Sequence, residues 1–136
     1  MQIVAARLSD YAIIDASGKM SVLGIFENIY ASNLPTTHAA WYLTFGLELN
    51  YAELGKDFRL KVEMTDSDGK VMFNLDTTGN FKGDVKVGRR TTLPVVMQLP
   101  PTTFESFGAY SFNIWLNDDL KGQVEFELMQ TPTQPS

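Results

Sequence analysis

Apolar and polar residues alternate over most of the chain. Residues 58–64 place Phe, Leu, Val and Met between Arg, Lys and Glu, and residues 120–128 repeat this pattern. A period of two sends successive side chains to opposite faces, which predicts strands with one buried face. No convincing stretch carries apolar residues at the i, i+3, i+4 and i+7 spacing of an amphipathic helix. The hydrophobic pattern therefore predicts an all-β fold.

Turn residues divide this pattern into about eight strands. Gly18 and Gly69 close turns rich in Asp and Ser, and Pro100-Pro101 ends a strand because proline cannot donate to a ladder. We predict a two-layer antiparallel β-sandwich, immunoglobulin-like or C2-like. Residues 1–129 form one sandwich domain, and residues 130–136 form a flexible C-terminal tail. The predicted strands are 2–14, 20–31, 40–50, 56–66, 70–76, 91–99, 109–117 and 120–129.

Tyr110 follows a long loop and opens a strongly apolar strand. It resembles the corner tyrosine of immunoglobulin-like sandwiches, whose hydroxyl ties a crossing connection to the backbone. The alternative is an ordinary core aromatic, and both interpretations keep the same fold class.

Charge and composition narrow the function classes. The net charge is -5, which argues against a nucleic-acid partner because phosphates require an excess of Lys and Arg. No apolar run approaches the ~18 residues of a membrane span. The first residues carry no signal-peptide pattern, and the chain has no cysteine. We therefore expect a cytoplasmic protein with no disulfide and no membrane partner.

The residues that most catalytic sites require are scarce. His38 is the single histidine, and the chain has no Gly-x-Ser-x-Gly, Walker or dinucleotide-binding motif. Asp66-Ser67-Asp68-Gly69 resembles the start of an EF-hand loop, but Lys70 and Thr77 stand where that loop needs oxygen ligands. A C2-like calcium site at Asp66, Asp68, Asp118 and Asp119 would require their loops to meet. We expect no enzyme activity, no metal and no cofactor.

Four of the eleven cationic residues lie within nine positions, at Lys82, Lys86, Arg89 and Arg90. Gly83 and Gly88 in the same segment would let backbone amides approach an anion. This basic segment is a candidate site for a phosphate-bearing small molecule or an acidic partner. The alternative is a solvated loop whose charges balance nearby acids.

Trp115 shares parity with Ser111 and Asn113, on the face opposite Phe112 and Ile114. A large aromatic residue on a polar face is a candidate for ligand stacking or a protein interface. The alternative is that a loop covers it. Trp41 shares parity with Leu43 and Phe45 and is predicted to lie in the core.

The N-terminal hairpin is apolar on both faces. Val22 and Phe26 lie on one face of its second strand, and Leu23, Ile25 and Ile29 lie on the other. The outer face of a two-layer sandwich is normally polar, so we predict that a second protomer covers Leu23, Ile25 and Ile29. A β-bulge near Gly24 that reverses the parity is the alternative.

Several short stretches occur in a characteristic order along the chain: Asp10-Tyr11-Ala12, Gly18-Lys19, Leu23-Gly24-Ile25-Phe26, Leu34-Pro35-x-x-His38, Phe81, Val87-Gly88-Arg89 and Gly108-x-Tyr110-x-Phe112. This order resembles a family of small uncharacterised bacterial and phage proteins of unknown function. The resemblance implies a β-sandwich and supplies no activity. The Asn117-Asp118-Asp119-Leu120 turn departs from the Asp-Gly-Glu of that family.

Two functional hypotheses follow from the sequence. The first is a non-catalytic binding module that forms a homo-oligomer and contacts an unknown protein. The second is a small-ligand binder that sequesters an anionic, nucleotide-like molecule at the basic segment. A hydrolase that uses paired carboxylates is a third class, but no pattern places two carboxylates in one cleft.

Overall fold

Strands make up nearly all of the regular structure in the computed structural model, which describes residues 1–83 and 85–132. One single-turn 3₁₀ helix, Tyr51–Glu53, interrupts them. Within these ranges no helix is long and apolar enough to cross a membrane. The strands are β1 (Gln2–Ile14), β2 (Met20–Phe26), β3 (Asn28–Ala31), β4 (Thr36–His38), β5 (Trp41–Asn50), β6 (Asp57–Thr65), β7 (Val71–Asn80), β8 (Arg90–Leu99), β9 (Thr102–Phe104), β10 (Gly108–Leu116) and β11 (Asp119–Gln130).

The strands form two large sheets and one small one. The four-stranded sheet has the order β2-β1-β5-β8, and the five-stranded sheet has the order β3-β11-β10-β6-β7. Strands β4 and β9 form a separate pair. Apart from the parallel pair β3–β11, the described pairings are antiparallel. The large sheets pack against each other through a shared core, which confirms the predicted all-β sandwich.

The strand count exceeds the predicted eight because the chain changes sheets where the pattern looked continuous. The predicted strand 20–31 is two strands: β2 pairs with β1, and β3 pairs with β11. The crossing occurs at Glu27, whose carbonyl accepts a hydrogen bond from the amide of Glu127 at 3.1 Å. Strands β4 and β9 have three residues each, which is too short for a period of two to be recognised.

Trp41 anchors an aromatic cluster at the centre of the sandwich. It is fully buried, as its parity predicted, and its ring packs edge-on against Phe104, Phe112 and Phe126 at 5.3–6.1 Å. Its indole Nε1 donates a hydrogen bond to the carbonyl of Pro100 at 3.0 Å. The largest core side chain therefore has both its apolar surface and its polar atom satisfied.

Tyr110 also belongs to this core and is only 4% exposed. Its hydroxyl donates to the carbonyl of Ser106, four residues earlier, at 2.6 Å. Tyr110 is therefore more than an ordinary core aromatic, and its likeness to the corner tyrosine of immunoglobulin-like sandwiches stays a prediction. The ring fills the core, and the hydroxyl fixes the connection from β9 to β10.

Two β-bulges change which side chains face the core. In β1 the pairing with β5 shifts between Val4 and Arg7, where Ala5 has a φ of 54°. In β11 the pairing with β10 shifts so that Leu120 lies opposite Trp115. Leu120 is consequently 51% exposed, whereas simple alternation along the strand had placed it inward.

The C-terminal end of the described chain remains attached to the sandwich. Strand β11 continues through Gln130, which pairs with Ala31, and the amide of Thr131 donates to the carbonyl of Ala31 at 2.9 Å. The predicted flexible tail was 130–136, and its residues 133–136 lie outside the described residues.

Candidate functional site

The β1–β2 hairpin keeps one register along its whole length. Its paired residues run without a shift from Ile14 opposite Met20 to Leu8 opposite Phe26. The β-bulge considered near Gly24 is therefore absent from this pairing, and the two apolar faces of β2 are real. Leu23 and Ile25 point away from the core and are 63% and 57% exposed.

Ile29 does not share this surface, so its assignment to the interface is wrong. It lies on β3, in the other sheet, and is 8% exposed within the core. Ile29 has the same parity as Leu23 and Ile25, but parity does not place these residues on one face because the chain changes sheets at Glu27.

Neighbouring strands extend the surface formed by Leu23 and Ile25. In the register of β1, Tyr11 lies opposite Leu23, and Ser9 lies opposite both Ile25 and Tyr42. The rings of Tyr11 and Tyr42 meet edge-on at 5.5 Å. We call this surface the apolar face; it consists of Ser9, Tyr11, Ile13, Leu23, Ile25 and Tyr42.

The apolar face has no charged side chain, and polar groups border it. Gln98 lies beside Tyr42, and Arg7 lies opposite Thr44 in the next row. Farther along the same side of the sheet, Arg90 binds Glu48 at 2.7 Å. An apolar centre with a polar rim is the usual anatomy of a protein interface. Tyr42 was not singled out from the sequence, whereas Tyr11 and Ile13 lie in the N-terminal hairpin for which self-association was predicted.

The outer side of the five-stranded sheet has the opposite character. Thr65 and Ser111 share a hydrogen bond at 2.9 Å, and Gln123 donates to Asn113 at 2.9 Å. Lys61 and Glu63 form an ion pair at 2.7 Å. This polar surface is what a sheet facing water requires, so the two outer faces of the sandwich differ in kind.

Trp115 lies on this polar side, as its parity predicted. It is half-buried, with Lys61 opposite it on β6 and Leu120 opposite it on β11. Lys61, Glu63, Trp115 and Asp118 line a cavity of about 170 Å³. The indole Nε1 is buried and has no hydrogen-bond partner among the described residues.

The basic segment is exposed and is not brought together with Trp115. Lys82, Lys86, Arg89 and Arg90 are all exposed. The amide of Arg89 donates to the carbonyl of Lys86 at 3.0 Å, which closes a turn. Arg90 is held by Glu48 on the outer side of the four-stranded sheet, whereas Trp115 lies on the outer side of the other sheet.

The aspartate loops considered for calcium lie at opposite ends of the five-stranded sheet. Asp66 follows the end of β6, and its Oδ1 accepts hydrogen bonds from the amides of Asp68 and Lys70 at 2.9 Å. Asp118 lies near the start of β6 and binds Arg59 at 3.3 Å. Within residues 1–83 and 85–132 no group of three or more His, Asp or Glu could hold a metal ion.

His38 lies among aromatic rings. Its imidazole packs edge-on against Phe26 and Trp41, with centroids at 5.7 and 5.2 Å, and its buried Nε2 has no partner among the described residues. Burial lowers the pKa of His38 below its usual 6.5, and the carboxylate of Asp10 acts in the opposite direction. This environment suits a neutral imidazole that packs like an aromatic side chain.

The architecture and surfaces define an all-β sandwich protein with one apolar outer face and one polar outer face. The chain belongs to the family of unknown function DUF6941, whose model matches residues 4–129. No curated protein and no solved structure gives a significant match to the chain. The predicted membership of an uncharacterised family is confirmed.

Proposed function

We propose that this protein is a non-catalytic binding module that self-associates through the apolar face. The observation that carries the proposal is the exposure of Leu23 and Ile25, 63% and 57%, within the apolar face, whose six residues carry no charge. Covering such a surface removes apolar area from water, which is the main driving force of protein association. A second copy supplies a surface of the same shape and the same chemistry.

The size of the sheet agrees with this role. Four strands spaced about 4.8 Å apart, with about ten residues each at ~3.3 Å, give a face on the order of 600 Å². A standard interface buries about 800 Å² on each partner. The outer side of the four-stranded sheet is thus of the order needed for a specific contact. The apolar face covers part of this side, and Arg7, Gln98 and the Arg90–Glu48 pair lie on the rest of it.

The chemistry of the apolar face favours a protein partner over a small molecule. Small-ligand sites combine apolar walls with a few convergent polar groups that fix orientation. Here Ser9 is fully buried and its hydroxyl contacts the carbonyl of Tyr11 at 3.3 Å. The outermost groups are the aliphatic side chains of Leu23, Ile25 and Ile13 and the rings of Tyr11 and Tyr42. Exposed tyrosine is typical of protein interfaces.

Thiol reactivity tests this proposal directly, because the natural chain has no cysteine. The Leu23→Cys variant reports on the apolar face. The Val87→Cys variant is the matched control, since Val87 is 77% exposed and far from that face in the β7–β8 connection. We expect the thiol of Leu23→Cys to react more slowly as protein concentration rises, while the thiol of Val87→Cys reacts at one rate. Equal, concentration-independent rates for both variants would overturn the proposal.

The anion-binding alternative has less support. Its four cationic side chains are exposed, and Arg90 is neutralised by Glu48. Phosphate sites usually hold the anion by several converging donors, and no such convergence is described for Lys82, Lys86 and Arg89. A cytoplasmic location remains a prediction from the sequence.

A further inference from the structure

The two tryptophans of the chain are treated differently by their surroundings. Trp41 is fully buried, and its Nε1 donates to the carbonyl of Pro100 at 3.0 Å. Trp115 lies on the polar outer side of the five-stranded sheet, and its equally buried Nε1 has no partner in the described part of the chain. A buried donor without a partner is rare and destabilising, so it requires an explanation.

A cavity of about 170 Å³ adjoins this indole ring, and its walls supply both donors and acceptors. Lys61 donates, and the carboxylates of Glu63 and Asp118 accept. Asn113 and Gln123 continue the polar surface along the same side of the sheet, joined by a hydrogen bond at 2.9 Å. The indole ring therefore lies between the apolar side chain of Leu120 on β11 and the polar side chain of Lys61 on β6.

Each charged group at this cavity already has a partner of opposite charge. Lys61 binds Glu63 at 2.7 Å, and Arg59 binds Asp76 at 2.5 Å and Asp118 at 3.3 Å. A phosphate would meet the carboxylates of Glu63 and Asp118, and an ammonium ion would meet Lys61 and Arg59. The ligand that fits is uncharged, offers both donors and acceptors, and has one apolar face that can lie against the indole.

We propose that Trp115, Lys61, Glu63 and Asp118 form a binding site for a single sugar ring. The C–H groups of a pyranose present an apolar face to the indole, and its hydroxyls both donate and accept hydrogen bonds. The cavity is smaller than the roughly 300–1,000 Å³ of sites for drug-sized ligands, which limits the bound portion to about one ring. A hydroxyl of the sugar accepts the hydrogen bond that Nε1 of Trp115 lacks in the free protein.

The proposed contact with a sugar hydroxyl requires that nitrogen to become accessible. Nε1 of Trp115 is shielded from water, so a neighbouring side chain moves when the ligand binds. The side chain of Lys61 is 35% exposed and is held on this surface by its pair with Glu63. Ion pairs of this kind contribute little to stability, and the four-carbon stem of lysine is flexible.

Nuclear magnetic resonance of the ¹⁵N-labelled protein tests this site, because the chain has only two tryptophans and therefore two indole N–H signals. The Trp115→Phe variant assigns them. Glucose, galactose, mannose and N-acetylglucosamine are titrated separately. We expect at least one sugar to shift the Trp115 signal saturably while the Trp41 signal stays fixed. If none of the four sugars shifts the Trp115 signal, the proposal is overturned.

Variants make the test specific. Trp115→Phe keeps a ring but removes the indole N–H, so it should raise the Kd about tenfold, the effect of one hydrogen bond. In this variant the Kd is measured from the backbone amide signals of β6 and β10. Tyr30→Phe is the matched control: Tyr30 is 58% exposed on the edge strand of the same sheet, and its variant should keep the Kd. If Trp115→Phe does not fold, Asp118→Asn, at a side chain 80% exposed, should raise the Kd about fivefold. An unchanged Kd in the folded variant contradicts the site.

Discussion

A Cβ atom on Gly24 would lie 2.5 Å from Oδ2 of Asp10 and 3.1 Å from its Cβ. The two residues face each other across the β1–β2 hairpin, on the side opposite Leu23 and Ile25. Gly24 also has a φ of +69°, in the left-handed region that favours glycine. The absence of a side chain at residue 24 lets the hairpin keep its register, and the register is what points Leu23 and Ile25 outward.

Replacing Gly24 with alanine should therefore destabilise the protein by about 2–3 kcal/mol, from backbone strain and the contact with Asp10 together. Gly18→Ala is the matched control. Gly18 has a φ of +84°, but a Cβ there would meet no atom within 4 Å, so only the strain of about 1–2 kcal/mol applies. Urea unfolding measures both variants. Equal losses would show that the contact between Asp10 and Gly24 has no energetic consequence.

The hydrogen bond between Tyr110 and Ser106 predicts a second effect on stability. Tyr110→Phe keeps the ring in the core but removes the donor to the Ser106 carbonyl, which should cost about 1 kcal/mol. Tyr30→Phe, at a side chain 58% exposed, should change the unfolding free energy by less than about 0.5 kcal/mol. Chemical denaturation compares the two variants. A Tyr110→Phe variant as stable as the Tyr30 control would contradict the role of the hydroxyl.

The alternation of apolar and polar residues predicted which side chains are buried, except where a bulge or a change of sheet interrupts a strand. Trp41, Leu60, Val62 and Phe112 lie in the core as their parity predicted, because their strands run without a bulge at those positions. Ile29 and Leu120 were misplaced, one by a change of sheet and the other by a bulge. The position of Ile29 depends on long-range pairing with β11, and that of Leu120 depends on the register of the adjacent hairpin with β10. A hydrophobic period along one strand contains neither kind of information.

The candidate sites were likewise predicted from the sequence only in part. Parity grouped Leu23 with Ile25 and placed Trp115 opposite Phe112, but the register of the β1–β2 hairpin was needed to exclude the bulge near Gly24. The cavity beside Trp115 depends on where Lys61, Glu63 and Asp118 lie. Of these residues, Lys61 and Glu63 lie on β6, which is distant from Trp115 in sequence. The neutralisation of Arg90 by Glu48, 42 residues away, could not be inferred from a count of basic residues.

His38 predicts how stability changes with pH. Its pKa is lowered in the folded protein, mainly by burial, so the unfolded chain binds a proton more readily than the folded one. The stability from the neutral imidazole is fully present above the unfolded pKa of about 6.5 and is lost as the pH falls through that value. Because His38 is the only histidine, proton resonances of its ring report the titration without ambiguity.

We expect the midpoint of that titration to lie below 6.5, and we expect His38→Gln to remove the loss of stability between about pH 7 and pH 5.5. A midpoint above 6.5 would mean that the attraction of Asp10 outweighs burial. It would reverse the predicted pH dependence.

The basic segment provides a test that separates the two functional hypotheses. Calorimetry with mono-, di- and cyclic nucleotides at about 150 mM salt should give no saturable heat, because Arg90 is already paired with Glu48 and the other cations are exposed. The protein is first unfolded and refolded to remove any bound molecule. Saturable binding would favour the anion-binding hypothesis if the Arg89→Ala/Arg90→Ala double variant weakened it at least a hundredfold. Loss of two charge-assisted contacts requires an effect of that size.

The mass of the protein in solution tests self-association through the apolar face most directly. At about 100 μM, where an interface with a micromolar Kd is occupied, light scattering should give a multiple of the 15.2 kDa chain mass. Leu23→Asp should reduce the measured mass to that of a single chain, because Leu23 is 63% exposed on the apolar face. Val87→Asp is the control: Val87 is 77% exposed in the β7–β8 connection, and this variant should leave the mass unchanged. Circular dichroism confirms that both variants are folded. A wild-type mass of 15.2 kDa at this concentration would contradict the proposed self-association.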